Sequence, residues 1–447
     1  MKTLSQHITP CLAILSVAIL ALLPAACSDE TELPHTSATI TLIEPDGVES
    51  MNIVSQTLKL VNLSTGTVAV YDNLAQLTLT EGIYDITYSA EITYTVVNTD
   101  GETAEVEGSI SGSEENVEFT GTSKSVAITT YLIEECDDFI FEEIFFSGTL
   151  RSSGSQYYGD GYFKIFNNTD HVLYADGVAF CESRFKSTLY YEYTPDIRTD
   201  TFTIWSLYVV PGSGTDHPVQ PGESMIICDA GIDHRTANPN SFDLSAADFE
   251  WYDVSTSASN LDIDSETVPN LDKWYCYTLS FYILHNRGFT SFALARIPID
   301  QETYLADYYY TYEYTMYTAA GTFYMTQSAY KMPNEWIIDG VNCSVESERA
   351  WNILPASVDA GWTHCGYVDK DESRYFRSIR RKLSYLNDDG TMHLQDTNNS
   401  TEDFNTECIP SIIEQQGTAI DAAGTLATTL TYDGVTPIED QEDDDDE

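Results

Sequence analysis

Most of the chain consists of short segments rich in β-branched and aromatic residues, each bounded by Gly, Asn, Asp or Ser. In residues 38–43, 58–61 and 67–71, apolar and polar side chains alternate. A period of two is typical of strands that bury one face. Longer and more aromatic segments of this kind follow from residue 139 onward. The sequence therefore predicts an all-β protein with two or more β-sandwich domains in tandem.

Residues 37–133 form the first predicted domain, a small antiparallel sandwich. Gly82 supplies a turn before a strand of alternating polarity, and a polar hairpin loop is expected around Asp100-Gly101. The stretch EGIYDITYSAEI, residues 81–92, resembles the transthyretin-like (carboxypeptidase regulatory-like) modules of exported bacterial proteins. This resemblance implies a transthyretin-like or Ig-like spacer without chemistry of its own.

Residues 137–432 form the second and larger predicted domain. An aromatic strand YFKIFNNT (162–169) is followed by a turn LYADG (173–177) and a strand QPGESMII (220–227). This order resembles the lamin-tail-like sandwich, and more closely an uncharacterised family of Bacteroidetes surface lipoproteins. Further blocks that resemble this family are residues 335–341, 354–361, 378–382 and 394–404. The resemblance implies a β domain with long insertions and an association with TonB-dependent receptors for nutrient or metal uptake.

The N-terminus carries a targeting signal. Lys2 is followed by an apolar run over 11–23 that is too short to span a membrane. The sequence Pro24-Ala25-Ala26-Cys27 resembles a bacterial lipobox. The resemblance implies a lipoprotein signal peptide over residues 1–26 and lipid attachment at Cys27. The alternative is a plain secretory signal cut after Ala26.

Residues 27–36 read as an acidic linker after the lipidated cysteine. Its segment Ser28-Asp29-Glu30-Thr31-Glu32 resembles the export signal that places Bacteroidetes lipoproteins on the cell exterior. The alternative is a solvated linker in an acidic protein. No later segment reaches ~18 uninterrupted apolar residues. The predicted location is therefore the outer membrane, with a lipid anchor as the membrane contact and the protein facing outward.

The charge of the chain excludes one class of partner. There are 71 Asp and Glu residues against 20 Lys and Arg, for a formal net charge of -51. Nucleic acid requires a basic face that releases counterions from phosphates, so no nucleic-acid partner is expected. Residues 433–447 end in a run of acids whose mutual repulsion predicts a disordered acidic tail.

Local catalytic motifs are absent from the sequence. It contains no Gly-x-Ser-x-Gly elbow, no His-Glu-x-x-His and no P-loop. Ser183 and Lys186 match Ser-x-x-Lys, but the companion motifs are missing. Seven cysteines follow Cys27 without a Cys-x-x-Cys, so buried thiols are favoured, with one bridge between Cys343 and Cys365 as an alternative. An enzyme is therefore disfavoured, although a dispersed active site is left open.

Two acidic loops are candidates for a cation. Asp262, Asp264 and Glu266 alternate along one loop, and residues 369–372 form a similar cluster. Alternating oxygens suit Ca²⁺, but neither loop completes the twelve-residue calcium motif. In so acidic a chain the alternative is a solvated loop. We therefore expect no cofactor and no metal site, with Ca²⁺ at Asp262, Asp264 and Glu266 as the alternative.

A tyrosine run is the remaining candidate binding site. Tyr308, Tyr310, Tyr312 and Tyr314 fall on one face if residues 308–314 form a strand. An exposed strip of this kind can stack on sugars or pack against a protein. The alternative is that the strip packs against a neighbouring part of the same chain.

Together these features predict a surface-exposed outer-membrane lipoprotein. It would act as a binding or accessory component, with an outer-membrane transporter as its expected protein partner. The resemblance suggests a TonB-dependent nutrient or metal uptake system as the setting. The alternatives are a structural or adhesive envelope protein and a hydrolase with a dispersed active site.

Overall fold

The computed structural model describes residues 34–431, apart from positions 46–47, 49, 98–102, 134–135, 256–260, 279 and 388–389. Strands make up most of the secondary structure in this part of the chain, and they form several sheets. The predicted all-β, multi-domain fold is therefore confirmed. The signal peptide (1–26), Cys27, linker residues 27–33, Asp100-Gly101 and the acidic tail (433–447) lie outside the described residues.

The first unit contains eight strands of the described part, arranged in two sheets. They are β1 (His35–Ile43), β2 (Met51–Asn62), β3 (Val68–Tyr71), β4 (Leu77–Thr80), β5 (Gly82–Val97), β6 (Thr103–Phe119), β7 (Ser123–Thr129) and β8 (Tyr131–Ile133). The sheet orders are β4-β1-β7 and β3-β2-β5-β6-β8. Strand β1 runs antiparallel to β4 and parallel to β7.

The two sheets of the first unit enclose one apolar core. Alternate side chains of β2 and β5, such as Leu58, Leu60 and Ile86, are buried against Ile40 of β1 and Ile128 of β7. The period of two that identifies these strands in the sequence is thus the period of core contacts. Burial of these apolar side chains holds the sheets together.

The second unit contains the remaining seventeen described strands and three short α-helices. They are β9 (Phe139–Phe145), β10 (Tyr162–Asn167), β11 (Leu173–Tyr174), β12 (Val178–Ser183), β13 (Thr201–Val209), β14 (Pro218–Val219), β15 (Ser224–Cys228), β16 (Phe249–Glu250), β17 (Asp272–Cys276), β18 (Phe292–Arg296), α1 (Gln301–Asp307), β19 (Tyr309–Thr318), β20 (Gly321–Pro333), β21 (Ile337–Val341), β22 (Ser378–Arg381), β23 (Leu383–Leu386), β24 (Met392–Leu394), α2 (Ser400–Asp403), β25 (Phe404–Cys408) and α3 (Ser411–Gln416). No helix in the described ranges is long and apolar enough to cross a membrane.

Two large sheets pack face to face in this unit. One has the order β16-β15-β10-β9-β22-β25, and the other has the order β19-β20-β13-β12-β18-β21 with β17 paired to β13. Phe163 of the first sheet stacks on Phe180 of the second with ring centroids 4.1 Å apart. Trp251 lies 5.9 Å from Phe163 in a nearly parallel orientation. Aromatic stacking and burial therefore join the sheets.

The outer face of the second sheet is covered by loops of the same unit. Phe185 and Tyr193 from one loop and Trp351 and Leu354 from another are buried there with Tyr304 of α1. Helix α1 begins after Asp300, whose side chain accepts a hydrogen bond from the Thr303 amide. These two covering loops also provide most of the candidate site described next.

Candidate functional site

The two units meet at a bulge in β6. Glu115 and Asn116 lie opposite Asp85 where the register of β5 and β6 shifts, and Asn116 has a positive φ of 54°. The Asn116 amide donates to Asp85 Oδ1 at 2.9 Å. A bulge of this kind redirects side chains out of the strand. Here it presents Glu115 and Asn116 to the loop of the second unit that contains residues 349–352.

Arg349 connects the units through this bulge. It donates to Asp85 Oδ2 at 2.6 Å, and its other terminal nitrogen donates to Glu115. The Asn352 amide donates to Glu115 Oε2 at 3.0 Å, and Asn116 Nδ2 donates to the Ala350 carbonyl at 3.0 Å. Burial raises the pKa of Glu115, and the nearby Arg349 opposes that rise.

A cleft opens beside this contact, and we refer to it as the junction cleft. Its volume of about 820 Å³ lies within the usual range for small-ligand sites. Both units contribute to its wall. The lining residues are Glu114, Glu115, Asn116, Tyr190, Asp196, Arg198, Thr199, Ala350, Trp351, Asn352, Ile353 and Pro355.

The junction cleft has an aromatic wall organised by Arg198. The Arg198 guanidinium lies 4.9 Å from the ring centroids of both Tyr190 and Trp351. The Arg198 Nε donates to Asp196 Oδ1 at 2.8 Å. Hydrogen bonds from the Arg198 side chain lower the pKa of Asp196. Trp351 Nε1 donates to the carbonyl of Lys186 at 3.0 Å, so this buried ring is held in place. Tyr190 is 54% exposed and lines the cleft.

The other polar groups of the cleft are mostly carboxylates and amides. Burial raises the pKa of Glu114, while Glu115 is paired with Arg349. Because Arg198 is paired with Asp196, the wall has no unpaired positive charge to attract an anion. An aromatic face beside hydrogen-bonding oxygens suits a neutral ligand that has hydroxyl groups and an apolar face.

A second cleft, of about 1030 Å³, lies elsewhere between the two units. Its wall is formed by exposed faces of β2, β5 and β6 together with residues 396–402 of the second unit. Lys59 and Glu402 form an ion pair of 3.1 Å across it. The only aromatic side chain in its wall is Tyr94, so it lacks the aromatic wall found in the junction cleft.

The predicted tyrosine strip packs largely against the protein itself. Tyr312 is 3% exposed, and Tyr310 donates or accepts a 2.7 Å hydrogen bond with Thr203. Tyr314 lies 4.6 Å from the ring of Tyr191 on the covering loop. Tyr308 precedes the strand and stacks on Tyr304 of α1. In the structure, these four tyrosines therefore lie against neighbouring parts of the same chain, as in the alternative given above.

The same hairpin has an exposed, uncharged end. Residues 314–330, which we call the uncharged ribbon, contain no charged side chain in a chain of net charge -51. Strand β20 pairs with β13 only from Tyr330 to Pro333, and β19 forms one bridge to Thr194 through Glu313. Beyond these points, the described strands of the hairpin pair only with each other. Tyr317 is 78% exposed and Tyr324 is 87% exposed. An aromatic patch with few charges is typical of protein interfaces.

The predicted cation loops serve local structure. Asp262 accepts hydrogen bonds from the Asp253 and Ile263 amides, and Asp264 accepts one from Asn270. Glu266 is exposed. In the second loop, Asp369 pairs with Arg287 and Asp371 accepts a hydrogen bond from the Ser373 amide. Within the described ranges, no group of three or more His, Cys, Asp or Glu side chains is arranged to hold a metal ion.

The Ser-x-x-Lys match has a structural explanation. Ser183 is buried, donates to the Phe185 carbonyl at 2.9 Å and accepts from the Ser291 amide at 2.9 Å. Both hydrogen-bonding functions of its hydroxyl are therefore used in joining backbone segments.

Nearby, the buried Glu182 accepts a hydrogen bond from Tyr282, and burial raises the pKa of Glu182 to about 7.

No disulfide joins any two of the seven cysteines from Cys136 to Cys408 in the described part of the chain. The alternative of a bridge between Cys343 and Cys365 is therefore not realised in this structure, and both side chains are buried. Burial raises the pKa values of both thiols well above their ordinary range. These cysteines act as small buried apolar groups.

The residues of the junction cleft were not identified by the sequence patterns. Glu115, Arg198 and Trp351 are far apart in the chain and belong to no short motif. Only the aromatic cluster around Tyr190 was a visible local signal. The cleft exists because the β6 bulge meets two loops that cover the second sheet.

Comparisons with known proteins agree with this architecture. A family model described as a protein of unknown function, DUF4876, matches residues 220–411. No curated protein matches the chain. The crystal structure of a DUF4876 family protein from Bacteroides thetaiotaomicron VPI-5482 is similar, with a TM-score of 0.50 and 20% identity over 90% of this chain and 100% of that chain. Residues 220–411 are thus similar to the DUF4876 family, and the chain shares the fold of a DUF4876 protein from Bacteroides.

Proposed function

We propose that this protein is a surface-exposed, lipid-anchored binding protein of the outer membrane. The observation that carries the binding role is the junction cleft, where the exposed Tyr190 ring lies beside Asp196 and Glu114. The proposed anchor is Cys27, on the basis of the lipobox-like sequence before it. We also propose that residues 37–133 form a transthyretin-like module and that residues 137–432 form a lamin-tail-like domain.

The ligand class follows from the chemistry of the cleft. An aromatic ring stacks on the apolar face of a sugar, while carboxylate and amide oxygens accept hydrogen bonds from hydroxyl groups. The net negative charge of the chain disfavours anionic ligands. We therefore propose a neutral oligosaccharide as the ligand of the junction cleft.

Binding is tested by calorimetric titration of the mature protein with a panel of neutral oligosaccharides. Tyr190→Ala should weaken binding at least tenfold because it removes the stacking face. Tyr190→Phe should retain most of the affinity because the ring remains. Tyr174→Ala, at an exposed tyrosine outside the cleft, is the matched control. Equal affinity of the Tyr190→Ala and Tyr174→Ala variants would exclude the cleft as the binding site.

The location is tested by incorporation of labelled palmitate and by proteolysis of intact cells. The wild-type chain should be labelled and should be digested from outside, whereas Cys27→Ala should be unlabelled. Wild-type protein that is unlabelled, or that is protected from external protease, would contradict the anchoring and surface location.

The uncharged ribbon supports the accessory role. We propose that the uncharged ribbon contacts the transporter, because Tyr317 and Tyr324 are exposed there and no charged side chain lies among its residues. A transporter component should co-purify with an outer-membrane β-barrel, and Tyr324→Ser should reduce the recovered amount. Recovery of the chain without a β-barrel would favour the structural or adhesive alternative.

A further inference from the structure

Strand β19 forms one edge of the second large sheet, next to β20. Its register with β20 continues without a bulge from Tyr309 to Thr318. On the outer side of β19, the Glu313 amide donates to the Thr194 carbonyl and the Thr194 amide donates to the Glu313 carbonyl, both at 2.9 Å. Residues 314–318 lie between this bridge and the turn of the hairpin, and we call them the ribbon edge.

The ribbon edge has backbone groups that are available to another strand. Backbone groups of alternate residues in a strand point to the same side. Because Glu313 bonds outward to Thr194, the N–H and C=O groups of Thr315 and Tyr317 also point outward. In the part of the chain that the structure describes, no backbone group forms a hydrogen bond with them on this side. The ribbon edge therefore offers two hydrogen-bonding residues to an incoming strand.

The ribbon edge lacks the features that normally keep edge strands apart. Natural proteins protect an edge with charged side chains, with proline or with a bulge. The sequence YTMYT of residues 314–318 contains no charged residue and no proline, and its pairing with β20 is regular. Tyr317, near the end of this edge, is exposed. A regular and unprotected edge in so acidic a chain indicates that another strand covers it.

A second copy of the chain has the sequence that fits this edge. In an antiparallel arrangement about a two-fold axis at Met316, Thr315 would lie opposite Tyr317 of the partner subunit, and Tyr317 opposite Thr315 of the partner subunit. These residues have outward-pointing backbone groups, so each pair can exchange two hydrogen bonds. A tyrosine opposite a β-branched threonine is also a favourable cross-strand pair. The ribbon edge is thus complementary to itself.

The charge distribution favours this place for contact between two copies. Two chains of net charge -51 repel each other, but at 0.15 M salt the repulsion is screened beyond about 8 Å. Contact is therefore opposed least where charged side chains are remote, and the uncharged ribbon is such a place. A neutral strand does not attract a basic partner, so a second acidic copy is the partner that benefits from its neutrality.

We propose that two copies of this protein associate through the ribbon edge, so that β19 of each copy joins the two seven-stranded sheets across a two-fold axis at Met316. Tyr324 belongs to β20 and not to this edge. The association therefore goes beyond the transporter contact and depends neither on that contact nor on the ligand of the junction cleft.

The test is sedimentation velocity of the full mature chain in 0.15 M salt over a range of protein concentrations. We expect an equilibrium between monomer and dimer. Met316→Lys and Met316→Glu should each weaken the dimer at least tenfold, because two like charges would meet at the axis. An equimolar mixture of the two variants should restore the dimer, since opposite charges then meet there.

Met325→Lys is the matched control. Met325 pairs with Tyr314 from β20, so it lies in the same hairpin but away from the outer edge. This variant should dimerise as the wild type does. A wild-type chain that stays monomeric at every concentration would overturn the proposal. Equal dimerisation of wild type and Met316→Lys, or a mixture of the two Met316 variants that stays monomeric, would also overturn it.

Discussion

Replacing Arg349 by alanine should weaken the contact between the two units. The side chain of Arg349 is 9% exposed, and those of its partners Asp85 and Glu115 are 18% and 23% exposed. Loss of one partner of a fully buried pair costs about 3–5 kcal/mol, because the other charge remains buried alone. Since both carboxylates retain some contact with water, we expect a loss of about 2–3 kcal/mol.

The measurement is urea unfolding followed by tryptophan fluorescence, with calorimetry to detect separate transitions of the two units. Lys59→Ala is the control, because it removes a more exposed ion pair with Glu402 between the same units. That change should cost about 0–1 kcal/mol. A second test adds Glu115→Gln to Arg349→Ala, which should recover part of the loss by removing the stranded charge.

The same substitution should reduce oligosaccharide binding in the junction cleft, because the β6 bulge forms part of its wall. If Arg349→Ala is no less stable than Lys59→Ala, the ion pairs at the bulge do not hold the units together. Retained ligand affinity in an uncoupled variant would place the ligand outside this cleft.

Three further predictions concern the second unit. The folded-state pKa of Glu182 is raised from 4.5 to about 7, so the folded state retains a proton that the unfolded chain releases between these values. Between pH 5 and pH 8, the unfolding free energy of the wild type should therefore fall by about 3 kcal/mol relative to that of Glu182→Gln. A difference between the two proteins that stays the same across this pH range would contradict the prediction. Phe163→Ala should cost about 3–5 kcal/mol in urea unfolding, because it empties the centre of the aromatic stack, and a cost below about 1 kcal/mol would show that the stack is not essential. At Gly212 a Cβ atom would lie 1.9 Å from Asp176 Oδ1, so Gly212→Ala should lower the melting temperature more than Gly214→Ala, where the space is open; equal effects would show that backbone strain alone is responsible.

Local patterns identified the individual strands well. The predicted strand starting at Phe139 is observed as β9, and the one at Tyr162 is β10. The predicted strand over residues 220–227 overlaps β15. Strands β9 and β10 are buried on both faces, so they were recognisable as short apolar and aromatic runs rather than by alternation. In the first unit, a period of two in a few consecutive residues marks strands that bury one face.

Other features depended on distant contacts. The sequence of the tyrosine strip is compatible with a strand face exposed to solvent and with one packed against the protein. The contacts of Tyr191 and Tyr193 with the strip show that it packs internally. The acidic loops were equally ambiguous. Asp262 appeared as a candidate ligand because of its neighbours in sequence, whereas in the structure it accepts hydrogen bonds from the Asp253 and Ile263 amides.

The sequence by itself determined the all-β class, the positions of many strands and the acidic character on which the expectation of no nucleic-acid partner is based. The strands follow from the alternation of side chains along a few consecutive residues, and the net charge is a sum over all residues. Neither property depends on which distant residues meet. Only the tertiary structure decided where Arg349, Glu115 and Trp351 meet and which carboxyl groups are buried. Clefts and desolvated charges arise from the distances between remote segments, and no short stretch of sequence encodes those distances.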